Sequence, residues 1–205
     1  MRQRRIALFG GTFDPVHKGH IGVARSAVDI IGADKLIFVP AKRSALKSAL
    51  PVASDADRLA MIRAAVADIA KFDVSDWELA RLAPSYTIDT VRHFRSELGA
   101  DGELYWLVGA DSVGELGRWY KVRELIDECS LACMYRAGYK PPDFSALVGS
   151  LGPDRVKKLQ DNIIETPLID ISSTQIRERL AQGRDVSGVV SPAVADYIRR
   201  HRLYR

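Results

Sequence analysis

Two imidazoles three residues apart, His17 and His20, close the run Gly10-Gly11-Thr12-Phe13-Asp14-Pro15-Val16-His17-Lys18-Gly19-His20. Residues at that spacing share one side of a helical turn, so both rings can address one ligand. The paired glycines let the backbone turn tightly with its N–H groups facing that ligand. A helix starting here adds partial positive charge. Such a set suits a phosphate or another anion, which makes His17 and His20 candidate donors and Gly10, Gly11, Thr12 and Phe13 candidate phosphate-binding residues. Lys18 reaches the same anion or points to water. The bland alternative is a glycine turn carrying two surface histidines.

The elements around this run position it. Ile6-Ala7-Leu8-Phe9 reads as a buried strand ahead of it and residues 21–31 as a helix behind it, ending near Gly32. Lys35-Leu36-Ile37-Phe38-Val39-Pro40 is a second strand, and strand–helix–strand in this order implies a parallel pair with a right-handed crossover. Residues 55–70 carry apolar side chains at helical spacing behind a Ser54 cap, and residues 72–75 form a third strand. A helix with Val91, Phe94 and Leu98 on one face follows, capped by Ser85 or Thr87, with Asp89 in its first turn. The strand 103–108 breaks at Gly109-Ala110-Asp111-Ser112, which in an open α/β sheet faces the same crevice as Gly10-Gly11. After it come a helix through Leu125-Ile126, a strand at 131–135, short helices within 144–162 and a strand within 163–171. Ser172-Ser173-Thr174-Gln175-Ile176-Arg177 makes a further strand-to-helix turn whose hydroxyls and N–H groups can meet a phosphate. Pro192 opens a last helix. The expected fold is α/β, Rossmann-like and doubly wound, with a mainly parallel sheet and helices on both faces. It forms one domain over residues 1–205, with a small helical part from about 172 onwards.

The chain has 205 residues, 47% of them hydrophobic and 27% charged, the balance of an ordinary globular protein. Thirty basic against 26 acidic residues leave a net +4, which suits anionic substrates without arguing for nucleic acid. Cys129 and Cys133 are too few to staple the fold or hold a metal, and read as buried reduced thiols. No signal peptide or membrane-length apolar window stands out. The expectation is a cytoplasmic enzyme with no nucleic-acid or membrane partner, and a homo-oligomer is left open.

The run at residues 11–20 resembles the H-x-G-H signature of the nucleotidylyltransferase superfamily, in the form carried by bacterial nicotinate-nucleotide adenylyltransferases. Later segments are similar to the same family: Ser85-Tyr86-Thr87-Ile88-Asp89-Thr90, Gly109-Ala110-Asp111-Ser112 with Trp119, Ile171-Ser172-Ser173-Thr174-Gln175-Ile176-Arg177, and the ending Tyr197-Ile198…His201…Leu203-Tyr204. The resemblance spans residues 6 to 204 and implies transfer of AMP from ATP to nicotinate mononucleotide, with Mg²⁺ bridging the phosphates. A phosphate monoester is largely ionised at neutral pH. The work is therefore to align two anions and hold the charge on the leaving pyrophosphate.

By that resemblance His17, His20 and Arg177 are the catalytic phosphate donors. Arg177 fits because a guanidinium keeps its charge and offers several donors. Lys18, Gly109, Asp111, Ser173 and Thr174 join the ATP side. Asp111 accepts from ribose hydroxyls or caps a helix. Lys47, Ser85, Tyr86, Thr87, Trp119 and Tyr120 form the nicotinate side, through N–H groups and ring stacking. Trp77, Trp106, His93 and His201 read as structural. One departure stands out: after Val39-Pro40 the family carries a proline-rich loop with a histidine, and this chain has Ser44-Ala45-Leu46-Lys47, so one donor is missing there. Related readings are an adenylyltransferase for nicotinamide mononucleotide or pantetheine phosphate, or a cytidylyltransferase. A more distant one is a class I aminoacyl-tRNA synthetase fragment, against which stands the lack of a K-M-S-K-S-like segment.

Overall fold

Period-two alternation of apolar side chains builds the centre of the fold. In β1 (Arg5–Gly11) Ala7 and Phe9 face one side of the sheet and Ile6 and Leu8 the other. In β2 (Lys35–Pro40) Leu36 and Phe38 oppose Ile37 and Val39, the pattern of strands buried on both faces. With β3 (Phe72–Val74), β4 (Glu103–Gly109), β5 (Ser130–Arg136) and β6 (Ile163–Thr166) these make one six-stranded sheet of order β3-β2-β1-β4-β5-β6. Every pairing is parallel. The computed structural model describes residues 3–43, 49–99 and 101–205, and all statements of structure concern these.

Helices α1 (Lys18–Ile31), α2 (Asp55–Val66), α7 (Ser173–Ala181) and α8 (Pro192–His201) cover one face. Val28, Met61, Ile62, Ile176, Val194 and Ile198 are buried there against Phe9 and Phe38. The region after residue 172 thus shares the core of the sheet. The other face takes α3 (Thr87–Leu98), α4 (Val122–Glu128), α5 (Val148–Leu151) and α6 (Pro153–Asp161), which bury Val91, Leu125, Leu151 and Leu159 over Leu8 and Trp106. Strand order reverses between β1 and β4, and this switch point opens a crevice beyond the carboxyl ends of both strands.

Local differences from the sequence expectation have local causes. Helix α2 stops at Val66 because the Ile69 N–H turns back to the Val66 carbonyl, and the Phe72 N–H to that of Ile69, as the chain enters β3. Neither Ser85 nor Thr87 caps α3: its N-cap is Tyr86, with no side-chain cap bond. The Ser85 hydroxyl oxygen instead accepts the Lys42 N–H at 3.2 Å, across to the exit of β2. Cys129 and Cys133 are buried without a disulfide, and burial pushes both thiols up to about 12, leaving them protonated and inert. Among the described residues no helix is long and apolar enough to cross a membrane.

Candidate active site

Helix α1 begins on a histidine cap. His17 Nδ1 accepts the His20 N–H, and His20 Nδ1 accepts the His17 N–H, each at 3.3 Å. This is the reciprocal exchange that Ser and Glu make in a common capping box. The rings stack with centroids 3.7 Å apart and planes 25° from parallel. Because main-chain donors occupy both Nδ1 atoms, a neutral ring at either position carries its proton on Nε2. His17 is only 6% exposed, and burial lowers its pKa to about 4. Near neutral pH it is an uncharged Nε2–H donor.

The loop between β1 and α1 is held from outside through its carbonyls. Arg58 Nη1 donates to the Thr12 carbonyl at 2.7 Å, Arg177 Nη1 to that of Asp14 at 2.7 Å, and the Ser173 hydroxyl to that of Pro15 at 2.9 Å. Phe13 adopts the left-handed region with φ +50°, uncommon for a bulky residue. Its ring is locked edge-on against Phe9, Phe38 and His20. Among the described residues no other group takes the Thr12 or Phe13 N–H. The loop therefore offers main-chain donors, two imidazoles and the α1 N-terminus, with a guanidinium seated beside them.

At the switch point lies a cleft of ≈ 490 Å³, lined by Gly10, Gly11, Thr12, Ser85, Tyr86, Thr87, Gly109, Trp119 and Tyr120 among others. The tight approach to its floor explains Gly10: a Cβ there would come within 2.2 Å of the Trp106 ring. Tyr86 and Tyr120 stand with ring centroids 4.6 Å apart. The Trp119 indole N–H is buried and has no partner among the described residues. The first turn of α3, starting at Thr87, opens on the same cleft without a side-chain cap, so its N–H groups carry helix-end positive potential.

The structure separates the expected residues into two groups that share the loop at 10–13. Gly10, Gly11, Thr12, Gly109 and the residues 85–87 and 119–120 line the cleft. His17, His20, Ser173, Thr174 and Arg177 gather where α1 and α7 meet the same loop, with Arg177 Nη2 donating to Thr174 Oγ1 at 3.3 Å. The Lys18 ammonium donates to the carbonyls of Ser187 and Gly188, at 3.3 and 3.1 Å. Asp111 is exposed in the first turn of the 3-10 segment Ala110–Arg118 and is not its cap, which is Gly109. Its carboxylate lies over the Cα of Gly109. Lys47, with the departing Ser44-Ala45-Leu46 stretch, lies outside the described residues.

Several participants were missed. Trp106, read as structural, is both core and cleft floor. Arg118 lines the cleft as an exposed cation. Glu78, 5% exposed, sits in the cleft wall, accepts the Thr90 hydroxyl at 2.6 Å and is hydrogen-bonded by Ser85, while burial pushes its carboxyl up. Arg58, 0% exposed, ties the Thr12 carbonyl to that of Ala41, the latter at 2.8 Å, and pairs with Asp55 at 2.6 Å. Its spacing from Met61 and Ile62 puts it on the buried side of α2, the one sequence signal that marks it.

Comparison with known proteins agrees with this arrangement. A cytidylyltransferase-like family model matches residues 8–179. A Neisseria meningitidis protein named "Probable nicotinate-nucleotide adenylyltransferase" is 42% identical over 208 residues, covering 98% of each chain. One of the same name from Rhodopirellula baltica is 36% identical over 200 residues, 98% of this chain and 93% of its own. In fold, the chain matches Plasmodium falciparum nicotinic acid mononucleotide adenylyltransferase complexed with NaAD at a TM-score of 0.73 and 20% identity, over 98% of both chains. The same enzyme complexed with APC gives 0.70 at 18% identity. The chain belongs to the cytidylyltransferase-like family and, within it, to the nicotinate-nucleotide adenylyltransferases.

Proposed function

We infer that this protein transfers AMP from ATP to nicotinate mononucleotide, forming nicotinate adenine dinucleotide and pyrophosphate. The observation that carries the reading is the convergence of residues 10–12, residues 85–87, Gly109, Ser112 and residues 118–120 on one cleft beside the histidine-capped loop. An ionised oxygen of the mononucleotide phosphate attacks the α-phosphorus of ATP as the bond to the β-phosphate oxygen breaks, and pyrophosphate leaves with that electron pair. No base has to create the nucleophile. The Nε2–H groups of His17 and His20, the Arg177 guanidinium and the Thr12 and Phe13 N–H groups hold the charge that moves onto the leaving group. Arg177 swings from the Asp14 carbonyl to phosphate, while Ser173 keeps α7 on the loop.

The pyridine ring of the acceptor fits between Trp119 and the Tyr86–Tyr120 pair. The uncapped first turn of α3 supplies N–H donors to its carboxylate. A carboxamide would turn an NH₂ towards those donors, and the Glu78 oxygens that would otherwise receive it are engaged by Thr90 and Ser85. Mg²⁺ arrives on the nucleotide. Among the described residues no group of three or more His, Cys, Asp or Glu could hold a metal ion, and the loop's donors suit the phosphate groups with which Mg²⁺ would be bound. When bound, it neutralises phosphate charge.

The test is turnover with ATP and Mg²⁺, offering nicotinate or nicotinamide mononucleotide separately and reading pyrophosphate release and dinucleotide formation. Preference for the nicotinate form, with loss of turnover in a folded His20→Ala variant, is the expected result. Preference for the nicotinamide form would move the substrate assignment, and no turnover with either would overturn it.

A further inference from the structure

The segment after α8 reaches back across the fold to the phosphate-binding loop. Tyr204, 9% exposed, donates its hydroxyl to Asp14 Oδ1 at 2.6 Å, across 190 positions of sequence. Asp14 is 4% exposed, and its carboxylate also accepts the Val52 N–H at 2.7 Å and the Ala53 N–H at 3.1 Å. A buried carboxylate keeps its place only while donors compensate for lost water. Three donors from two distant segments therefore decide where this side chain sits. Its main chain lies between Phe13, held in the left-handed region, and Pro15, whose carbonyl takes Ser173, while its own carbonyl receives Arg177. Displacing the Asp14 side chain displaces the anchor of Arg177 and the residue next to the free Phe13 N–H.

We propose that Tyr204 is a positioning residue for the phosphate-binding loop: its hydroxyl, given to the Asp14 carboxylate, fixes the arrangement of Phe13, Asp14 and Arg177 that receives the triphosphate. The proposal rests on the reading of that loop as a phosphate site. A control is built into α8 itself. Tyr197 also donates a hydroxyl to an aspartate, Asp57 Oδ1 at 2.9 Å, but Asp57 is on α2 and touches none of the loop carbonyls. Removing either hydroxyl loosens the seating of α8, and only one removal reaches the loop.

The experiment compares Tyr204→Phe, Tyr204→Ala and Tyr197→Phe with the parent protein in amide hydrogen exchange, MgATP affinity and steady-state kinetics. Tyr204→Phe is expected to speed exchange at Val52 and Ala53, to weaken MgATP about tenfold and to lower kcat, with the KM for the mononucleotide little changed. Tyr204→Ala is expected to do so more strongly, and Tyr197→Phe not at all. Wild-type MgATP affinity and unaltered exchange at Val52 and Ala53 in Tyr204→Phe would overturn the proposal. So would equal effects of Tyr204→Phe and Tyr197→Phe, since the role would then be general stability. Exchange is read without turnover, so failure of the parent to make the dinucleotide would count against the proposed reaction and leave the loop measurement to decide this point.

Discussion

Acidification should unfasten the start of α1 through His17. In the folded protein the ring is neutral, buried and accepts a main-chain N–H at Nδ1. Protonation puts a proton on the atom that must accept and a charge where water is excluded. The folded pKa is about 4 against an ordinary 6.5. Since the folded value lies below the unfolded one, the unfolded chain holds more protons between them. The contribution is therefore fully present above about pH 6.5 and is lost as the pH falls towards about 4. The whole interval is worth about 3 kcal/mol at 1.36 kcal/mol per pKa unit, of which about 2 kcal/mol is gone by about pH 5. Against a total stability of about 5–15 kcal/mol this is measurable. Urea unfolding at neutral pH and at about pH 5 provides the assay, with unchanged m-values as the check on two-state behaviour. The comparison variant is His17→Asn, which keeps a side-chain acceptor at the cap and cannot titrate. The parent should lose about 2 kcal/mol more than His17→Asn over that range. Parallel pH profiles would refute the reasoning, because His20 and the carboxylates are common to both proteins.

Gly10→Ala should cost about 1–3 kcal/mol in urea unfolding and slow turnover, because the new Cβ would lie 2.2 Å from the Trp106 ring and push it into the cleft; an unchanged midpoint would show that the ring has room to move. Glu78→Gln, which replaces a carboxylate bound by Thr90 and Ser85, should raise the KM for nicotinate mononucleotide about fivefold with little change in the KM for ATP; equal changes in both would place Glu78 outside the acceptor side. Arg58→Met leaves the Thr12 and Ala41 carbonyls without their donor and should destabilise by about 3 kcal/mol in urea, with activity falling in the fraction that stays folded. A midpoint within about 0.5 kcal/mol of the parent would show that those carbonyls find other partners.

What could be read from sequence divides along the range of the physics involved. The ends of β2 and the break after β4 are local events, set by an apolar run and a glycine, and they stand where the composition puts them. The same holds for the cleft, because each lining segment carries its own turn residues and parallel topology then brings strand ends together. The cap of α3 was misread for a non-local reason: the Ser85 hydroxyl that propensity assigns to the helix is held by Lys42, 43 positions earlier. Lys18, at the start of α1, also has partners that sequence does not announce, the carbonyls of residues 187–188. Arg58, Glu78 and the Asp14–Tyr204 pair share this character, each being a buried polar group whose partner is set by tertiary folding. A polar group with no local partner reads as solvated, and burial inverts that reading, because an unpaired donor or acceptor away from water costs about 1–3 kcal/mol. The residues proposed to contact substrate are thus announced by short motifs, whereas the partners of those that hold the motifs in shape are announced by the fold. In this protein Arg58, of the second group, ties down the Thr12 carbonyl, next to those of Asp14 and Pro15 that the motif residues Arg177 and Ser173 hold. That restraint leaves the loop's N–H groups and the α1 N-terminus for the anion, so a chain that kept the histidines and glycines but lost Arg58 or Tyr204 would carry the signature without the geometry that makes it work.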